Sequence, residues 1–241
     1  MEIFDKEPKD WIDLQNKVAY VLKKCGYRVE TPKKIETPRS NIEVDVFAQN
    51  TDMQVLCECK YWNKNISQNT VFSFRTVILE IGANKGIIIA KKGFQSGAYK
   101  SAQNTNIELK TWEEFLSCYK EKYLKCCIKE HMKIHSPLFR VADDKFEYWE
   151  CYDSLDEQQQ QDVDLLKNRL MEIVLQMSPM CSMLQFSELE WSVEYVDIII
   201  KKAEEKFLKK FNSYFDFFEF VDNEIKDILP QIELLYRKKI L

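Results

Sequence analysis

Asp45 stands thirteen residues before the tripeptide Glu58-Cys59-Lys60. In an extended strand, residues i and i+2 project from one face, so Glu58 and Lys60 share a face. A hairpin across the intervening step would set Asp45 beside them. Two carboxylates and an ammonium on one sheet face are costly to bury unless something binds between them. A hard divalent cation such as Mg²⁺ meets that demand, binding through one or two carboxylates together with water and a phosphate. A lysine alongside can orient the attacking water or help deprotonate it. These are the parts for metal-assisted phosphodiester hydrolysis. A solvated hairpin with charged outer residues would have the same spacing, and the surroundings decide between the two. Cys57 and Cys59 occupy the opposite face, and an apolar helix and the Ile87–Ile89 run flank the strand. Charges at the heart of a sheet call for a function more than charges on an exposed ribbon do.

The elements that must position these residues can be read from periodicity. Asp10–Cys25 has an apolar stripe of Trp11, Leu14, Val18, Val21 and Leu22 with Gly26 as its stop, the pattern of an amphipathic helix. Tyr27–Thr31 reads as a short strand. Ile42, Val44 and Val46 alternate with Glu43 and Asp45 as a second strand, and Gln54–Lys60 is a third. Ser67–Ile81 is a helix closed by Gly82, Gly86–Ala90 a continuous apolar and therefore central strand, Phe94–Asn104 a helix and Ile107–Leu109 a last strand. The expected order α-β-β-β-α-β-α-β is a mixed α/β sandwich.

Composition divides the chain of 241 residues in two. All five glycines lie in the first hundred residues; residues 1–120 carry 18 Lys+Arg against 15 Asp+Glu, and residues 121–241 carry 17 against 24. Tight turns in the first part suit alternating strands and helices, and a glycine-free second part suits long helices. The expected domains are therefore 1–120 and 121–241, the second all-α. In it, Thr111–His135 is a periodic run stopped by Ser136-Pro137, and residues 137–153 read as irregular. Ser154-Leu-Asp-Glu157 and Ser187-Glu-Leu-Glu190 read as capping boxes, and Asn212–Leu229 as a helix ended by Pro230. Phe211, Tyr214, Phe215, Phe217, Phe218 and Phe220 make that helix apolar on nearly all sides, as fits a core or a subunit interface. Cys127, His131 and His135 follow at intervals of four. One straight helix spreads such a set over ~12 Å, which suits a packed face better than a zinc site. With no apolar run of the ~20 residues a membrane span needs, no h-region in MEIFDKEPKDW and no C-x-x-C among the eight cysteines, the expectation is a cytoplasmic protein with reduced thiols and no membrane partner.

The ordered set Leu14-Gln15, Val18-Ala19, Leu22, Gly26-Tyr27, Ile42-Glu-Val-Asp45, Cys57-Glu-Cys-Lys60, Gly93-Phe-Gln-x-x-Ala98 and Asn106-Ile-x-Leu109 resembles the Mrr-type restriction endonucleases of the PD-(D/E)xK nuclease superfamily. The resemblance covers about residues 10–117 and does not extend to residues 121–241. It implies a restriction-endonuclease-like mixed sheet flanked by helices, and Mg²⁺-dependent DNA cleavage in which Mn²⁺ can substitute. The metal-binding Asp falls on Asp45, the Glu on Glu58 and the Lys on Lys60, with the backbone carbonyl of Cys59 as a further metal ligand. The first-helix acid of relatives falls on Gln15, which cannot bring a negative charge to the metal and is left to hold water or phosphate. Such enzymes generally act as dimers against foreign or phage DNA. A homo-oligomer is expected, with the helical half as a regulatory or oligomerisation module that can also dock a protein partner. A junction-resolvase-like nuclease and an inactive nucleic-acid-binding assembly subunit are the alternatives. Glu43, two residues before Asp45, would share its face as an extra acid or a rim charge. Gln95 is placed to touch a phosphate or cap its helix, and Lys64, Lys91 and Lys92, with Arg75 and Lys100, are candidates for a phosphate-contacting rim. Tyr61-Trp62 suits base stacking, although aromatics after a strand more often enter a core.

Overall fold

The computed structural model describes residues 1–37, 41–143, 148–186 and 191–241. It divides into two compact units, one of Lys6–Tyr123 and one formed by Met1–Asp5 together with Leu124–Leu241.

The first unit is built on α1 (Trp11–Lys24), β1 (Arg28–Glu30), β2 (Lys33–Glu36), β3 (Asn41–Val44), β4 (Val46–Gln49), β5 (Gln54–Lys60), α2 (Gln68–Ile81), β6 (Lys85–Ala90), α3 (Ser96–Ala102) and β7 (Ile107–Thr111). A five-stranded mixed sheet runs in the order β1-β4-β5-β6-β7, antiparallel from β1 to β5 and parallel from β5 to β7. The mixed sheet flanked by helices is the expected fold class. The single strand expected around Asp45 is instead two. β3 pairs with β2 in a separate ribbon, and β4 starts after Asp45 in the main sheet. The break is held by Thr31, whose hydroxyl donates to the Asp45 carbonyl at 2.8 Å.

Strand alternation decides what β5 shows to each side. Val55, Cys57 and Cys59 are buried on one face, while Leu56 joins Phe47, Val71, Phe74, Ile78, Ile88 and Phe94 in a core under α2 and α3. Gly86 is required there for close approach: a Cβ on it would overlap the side chains of Ile78 and Phe74. Gly82 ends α2 in the left-handed region at φ 73°.

The second unit holds most of α4 (Trp112–Asp143), then α5 (Trp149–Asp153), α6 (Glu157–Phe186), α7 (Val193–Phe207) and α8 (Tyr214–Tyr236). Two sequence-derived boundaries, at Pro137 and Pro230, shift. α4 continues through Pro137 and α8 through Pro230, and Pro179 lies within α6. A proline forfeits one helical hydrogen bond and strains one turn, and burial of both flanks, as with Leu138, Val141, Leu229 and Ile232, outweighs that. Part of the stretch expected to be irregular is therefore helix. The capping box of α6 is formed by Asp156 and Gln159, each accepting from the other's N–H at 2.8 and 3.1 Å, whereas the Ser154 hydroxyl donates to the Cys151 carbonyl. The motif Ser187–Glu190 lies outside the described residues; α7 is capped by Ser192.

The aromatic cluster is interior to this unit. Phe211, Tyr214, Phe217 and Phe218 are buried, and Phe211 packs against both Phe217 and Phe220 at 5.3 Å between ring centroids. The N-terminal segment completes it. Ile3 is fully buried, and the Glu2 and Ile3 carbonyls accept from the Tyr214 and Phe215 N–H groups at the start of α8. His131 stacks on Phe218 and faces Asp222 at 3.4 Å, while His135 bonds Ser178 on α6 at 2.8 Å, so the two histidines serve different helix contacts. Among the described residues, no helix is long and apolar enough to cross a membrane.

Candidate active site at the end of strands β4 and β5

Val46 pairs with Cys57, a register that brings Asp45 to the level of Glu58. Asp45 is fixed from two sides. Its Oδ1 accepts from Gln15 Nε2 at 2.6 Å, and its Oδ2 accepts from the Cys59 N–H at 2.7 Å. Gln15 is buried because it lies on the inward stripe of α1 between Leu14 and Val18, and its amide finds a partner there, as a buried polar group must. The second bond ties Asp45 to the middle of the Glu58-Cys59-Lys60 tripeptide. Lys60 Nζ is hydrogen-bonded and ion-paired with Glu58 Oε1. Four of the residues singled out in the sequence, Gln15, Asp45, Glu58 and Lys60, are thus joined in two linked pairs around Cys59.

Burial pushes the Glu58 carboxyl up; the hydrogen bond from Lys60 opposes that, and the Asp45 charge adds to it. A cation between the two carboxylates would relieve both the desolvation and the repulsion. The donor set fits Mg²⁺: each carboxylate retains acceptor capacity beyond the bonds described, and this ion takes only one or two carboxylates with water and phosphate. Among the described residues, no group of three or more His, Cys, Asp or Glu side chains is arranged to hold a metal ion by itself. Burial raises both the Cys57 and Cys59 thiols, which makes them neutral packing groups.

Glu43 is not brought into this group. It lies on the β2–β3 ribbon, exposed and 3.8 Å from Lys34 in an ion pair, and the strand break at Asp45 ends the i, i+2 relation. Lys64, Lys91 and Lys92 follow the C-terminal ends of β5 and β6, the end of the sheet that carries Lys60. Lys91 lies over the Tyr61 ring at 4.1 Å and its N–H donates to the Lys60 carbonyl; Lys64 and Lys92 are exposed. Gln95 takes the N-cap position of α3 with no side-chain capping bond.

Sequence reasoning missed the wall opposite Glu58 and Lys60. A cleft of about 310 Å³ is lined by Glu58, Lys60 and Trp62 on one side and by Asn69, Thr70, Ser73, Phe74 and Val77 of α2 on the other. The spacing of Asn69 and Ser73, one helical turn apart, was the available signal. Trp62, read from the sequence as either a base-stacking or a core aromatic, is 42% exposed in this cleft.

A search of curated proteins finds no match to this chain. Among solved structures, AF1548, described as a protein of unknown function, is similar over 67% of this chain and 98% of its own, at 16% identity and a TM-score of 0.42. The DNA modification-dependent restriction endonuclease AspBHI is similar over 48% of this chain and 38% of its own, at 10% identity and a TM-score of 0.25. The family model Mrr_cat, described as Restriction endonuclease, matches residues 8–119, which span the mixed sheet and the residues just described. Residues 8–119 thus carry a restriction endonuclease domain of the Mrr_cat family, and the match does not extend to the helical unit.

Proposed function

We propose that the chain is a divalent-metal-dependent DNA endonuclease that hydrolyses phosphodiester bonds in the cytoplasm, in defence against foreign or phage DNA. The observation that supports this most is the linked arrangement of Gln15, Asp45, Glu58 and Lys60 at one end of the sheet. Asp45, Glu58 and the Cys59 carbonyl would hold the ion. Mg²⁺, or Mn²⁺ in its place, supplies Lewis-acid polarisation of the scissile phosphate. Gln15 keeps Asp45 in its orientation. Lys60, paired with Glu58 in this structure, would orient the attacking water through Nζ. Lys64, Lys91, Lys92 and Gln95 contact phosphates flanking the cut.

The unit of Met1–Asp5 and Leu124–Leu241 serves as a regulatory or self-association module, a role favoured by its separate core. Cleavage of both strands then needs two catalytic sheets, one per strand. Incubation of the pure protein with modified and unmodified plasmids, with and without Mg²⁺, tests the reading. Nicking or linearisation should require the ion and be lost in Lys60→Met. Cleavage that persists in EDTA or in the variant would overturn it.

A further inference from the structure

The α2 wall of the cleft has no place in the hydrolysis just described, yet it sets polar side chains across from an exposed aromatic ring. Trp62 lies immediately beyond the Glu58–Lys60 pair with its ring open to solvent, and its loop is pinned. The Lys91 N–H donates to the Lys60 carbonyl at 3.0 Å, the Ile66 N–H to Gly93 at 2.9 Å, and the Gln95 N–H to Ile66 at 2.9 Å. A tryptophan presented by a short segment anchored at both ends loses little freedom on binding a planar partner. Across the cleft, Asn69 and Ser73 stand one helical turn apart, and neither side chain makes a hydrogen bond among the described residues. One flat apolar plane faced by an unpaired amide and hydroxyl matches the two sides of a nucleobase, its π-face and its polar edge. The cleft volume of about 310 Å³ lies in the range of small-ligand pockets.

We propose that this cleft receives a nucleobase of the cut strand, taken out of its stack, with Trp62 as the stacking platform and Asn69 and Ser73 meeting the base edge. The inference rests on the nuclease reading and narrows its substrate to DNA with an unpaired or easily unpaired nucleotide beside the scissile phosphate. Lys64 now holds its ammonium 5.4 Å from the Trp62 ring centroid. Its side chain is exposed, so this is a weak contact, and an incoming base displaces it toward the strand's phosphates. Lys60, 5.3 Å from the same ring, supplies the rival role for Trp62, that of merely steadying the catalytic ammonium.

The test uses the full chain and one fluorescein-labelled oligonucleotide as a perfect duplex, a duplex with one mismatch and a single strand. Affinity is read by anisotropy with Ca²⁺ in place of Mg²⁺, and cleavage rate with Mg²⁺. Wild type should bind and cut the mismatched and single-stranded forms better than the perfect duplex. Trp62→Ala should weaken binding to those two forms about tenfold or more, with Trp62→Phe retaining most of the affinity. Asn69→Ala should reduce the preference among bases at the mismatch. If Trp62→Ala slows cleavage but leaves all three affinities unchanged, Trp62 only positions Lys60 and the base site is refuted. Unchanged affinity and rate would refute it as well. Wild type that neither binds nor cuts any form would instead defeat the nuclease reading itself.

Discussion

Replacing Asp45 by alanine tests whether this carboxylate is a structural anchor as well as a candidate ligand. Judged from charge alone, the change relieves repulsion with Glu58, and the thermal midpoint should hold or rise. The hydrogen bonds argue the reverse. Asp45 accepts at 2.6 Å from Gln15, which is 6% exposed, and at 2.7 Å from the N–H of Cys59, which is 7% exposed. Without the carboxylate both donors are left buried, at about 1–3 kcal/mol each. The relief is small, because burial and not Asp45 is the leading cause of the raised Glu58 carboxyl. The net expectation is a loss of about 2–4 kcal/mol, or roughly 10 °C in a unit of this size. Thermal unfolding in EDTA, followed by near-ultraviolet circular dichroism and calorimetry, measures it. Gln15→Leu in the same chain removes one orphaned donor and should recover part of the loss. A midpoint at or above wild type for Asp45→Ala alone would refute the anchoring argument.

Glu58→Gln should stabilise the metal-free protein at neutral pH. A carboxyl raised on folding contributes stability that is present below its ordinary value of 4.5 and lost as pH rises through the raised one; urea unfolding in EDTA should show the variant's advantage shrinking toward pH 4.5. Lys60→Met should abolish cleavage yet keep Mg²⁺ or Mn²⁺ binding in calorimetric titration, and a loss of affinity as large as that of Glu58→Ala would contradict the division of roles. Gly86→Ala should cost about 1–3 kcal/mol by forcing Ile78 and Phe74 aside, and Ile78→Val should restore part of it; equal stability of the single variant and wild type would show that α2 can shift freely.

What the sequence revealed of the fold follows from where local signals govern. β5 was legible residue by residue because its two faces differ in chemistry, and α2 because Ser67 and Gly82 delimit it. The break at Asp45 was invisible because alternation continues from Ile42 through Val46 while the pairing partner changes from β2 to β4, a tertiary choice. Pro137 and Pro230 looked like stops because propensity is local and the burial that carries a helix past a proline is not. At the site, the Glu58–Lys60 relation follows from strand period alone. Gln15 in contact with Asp45 needed the packing of α1, and the resemblance pointed to it. The cleft wall on α2 carried only a faint polar spacing, and nothing local sets it opposite β5.

The segment Met1–Asp5 and the helix that buries Ile3 are far apart in the order of synthesis. Glu2 meets Tyr214, 212 positions later in the chain, a delay of roughly 10–40 s at ordinary translation rates. All of Lys6–Tyr123 emerges in between, so the α/β unit is an insertion within the helical one and can close while the latter still lacks α8. Topology thereby lets the unit carrying Asp45, Glu58 and Lys60 close early, whereas its companion can be finished only when α8 returns to the Met1–Asp5 segment.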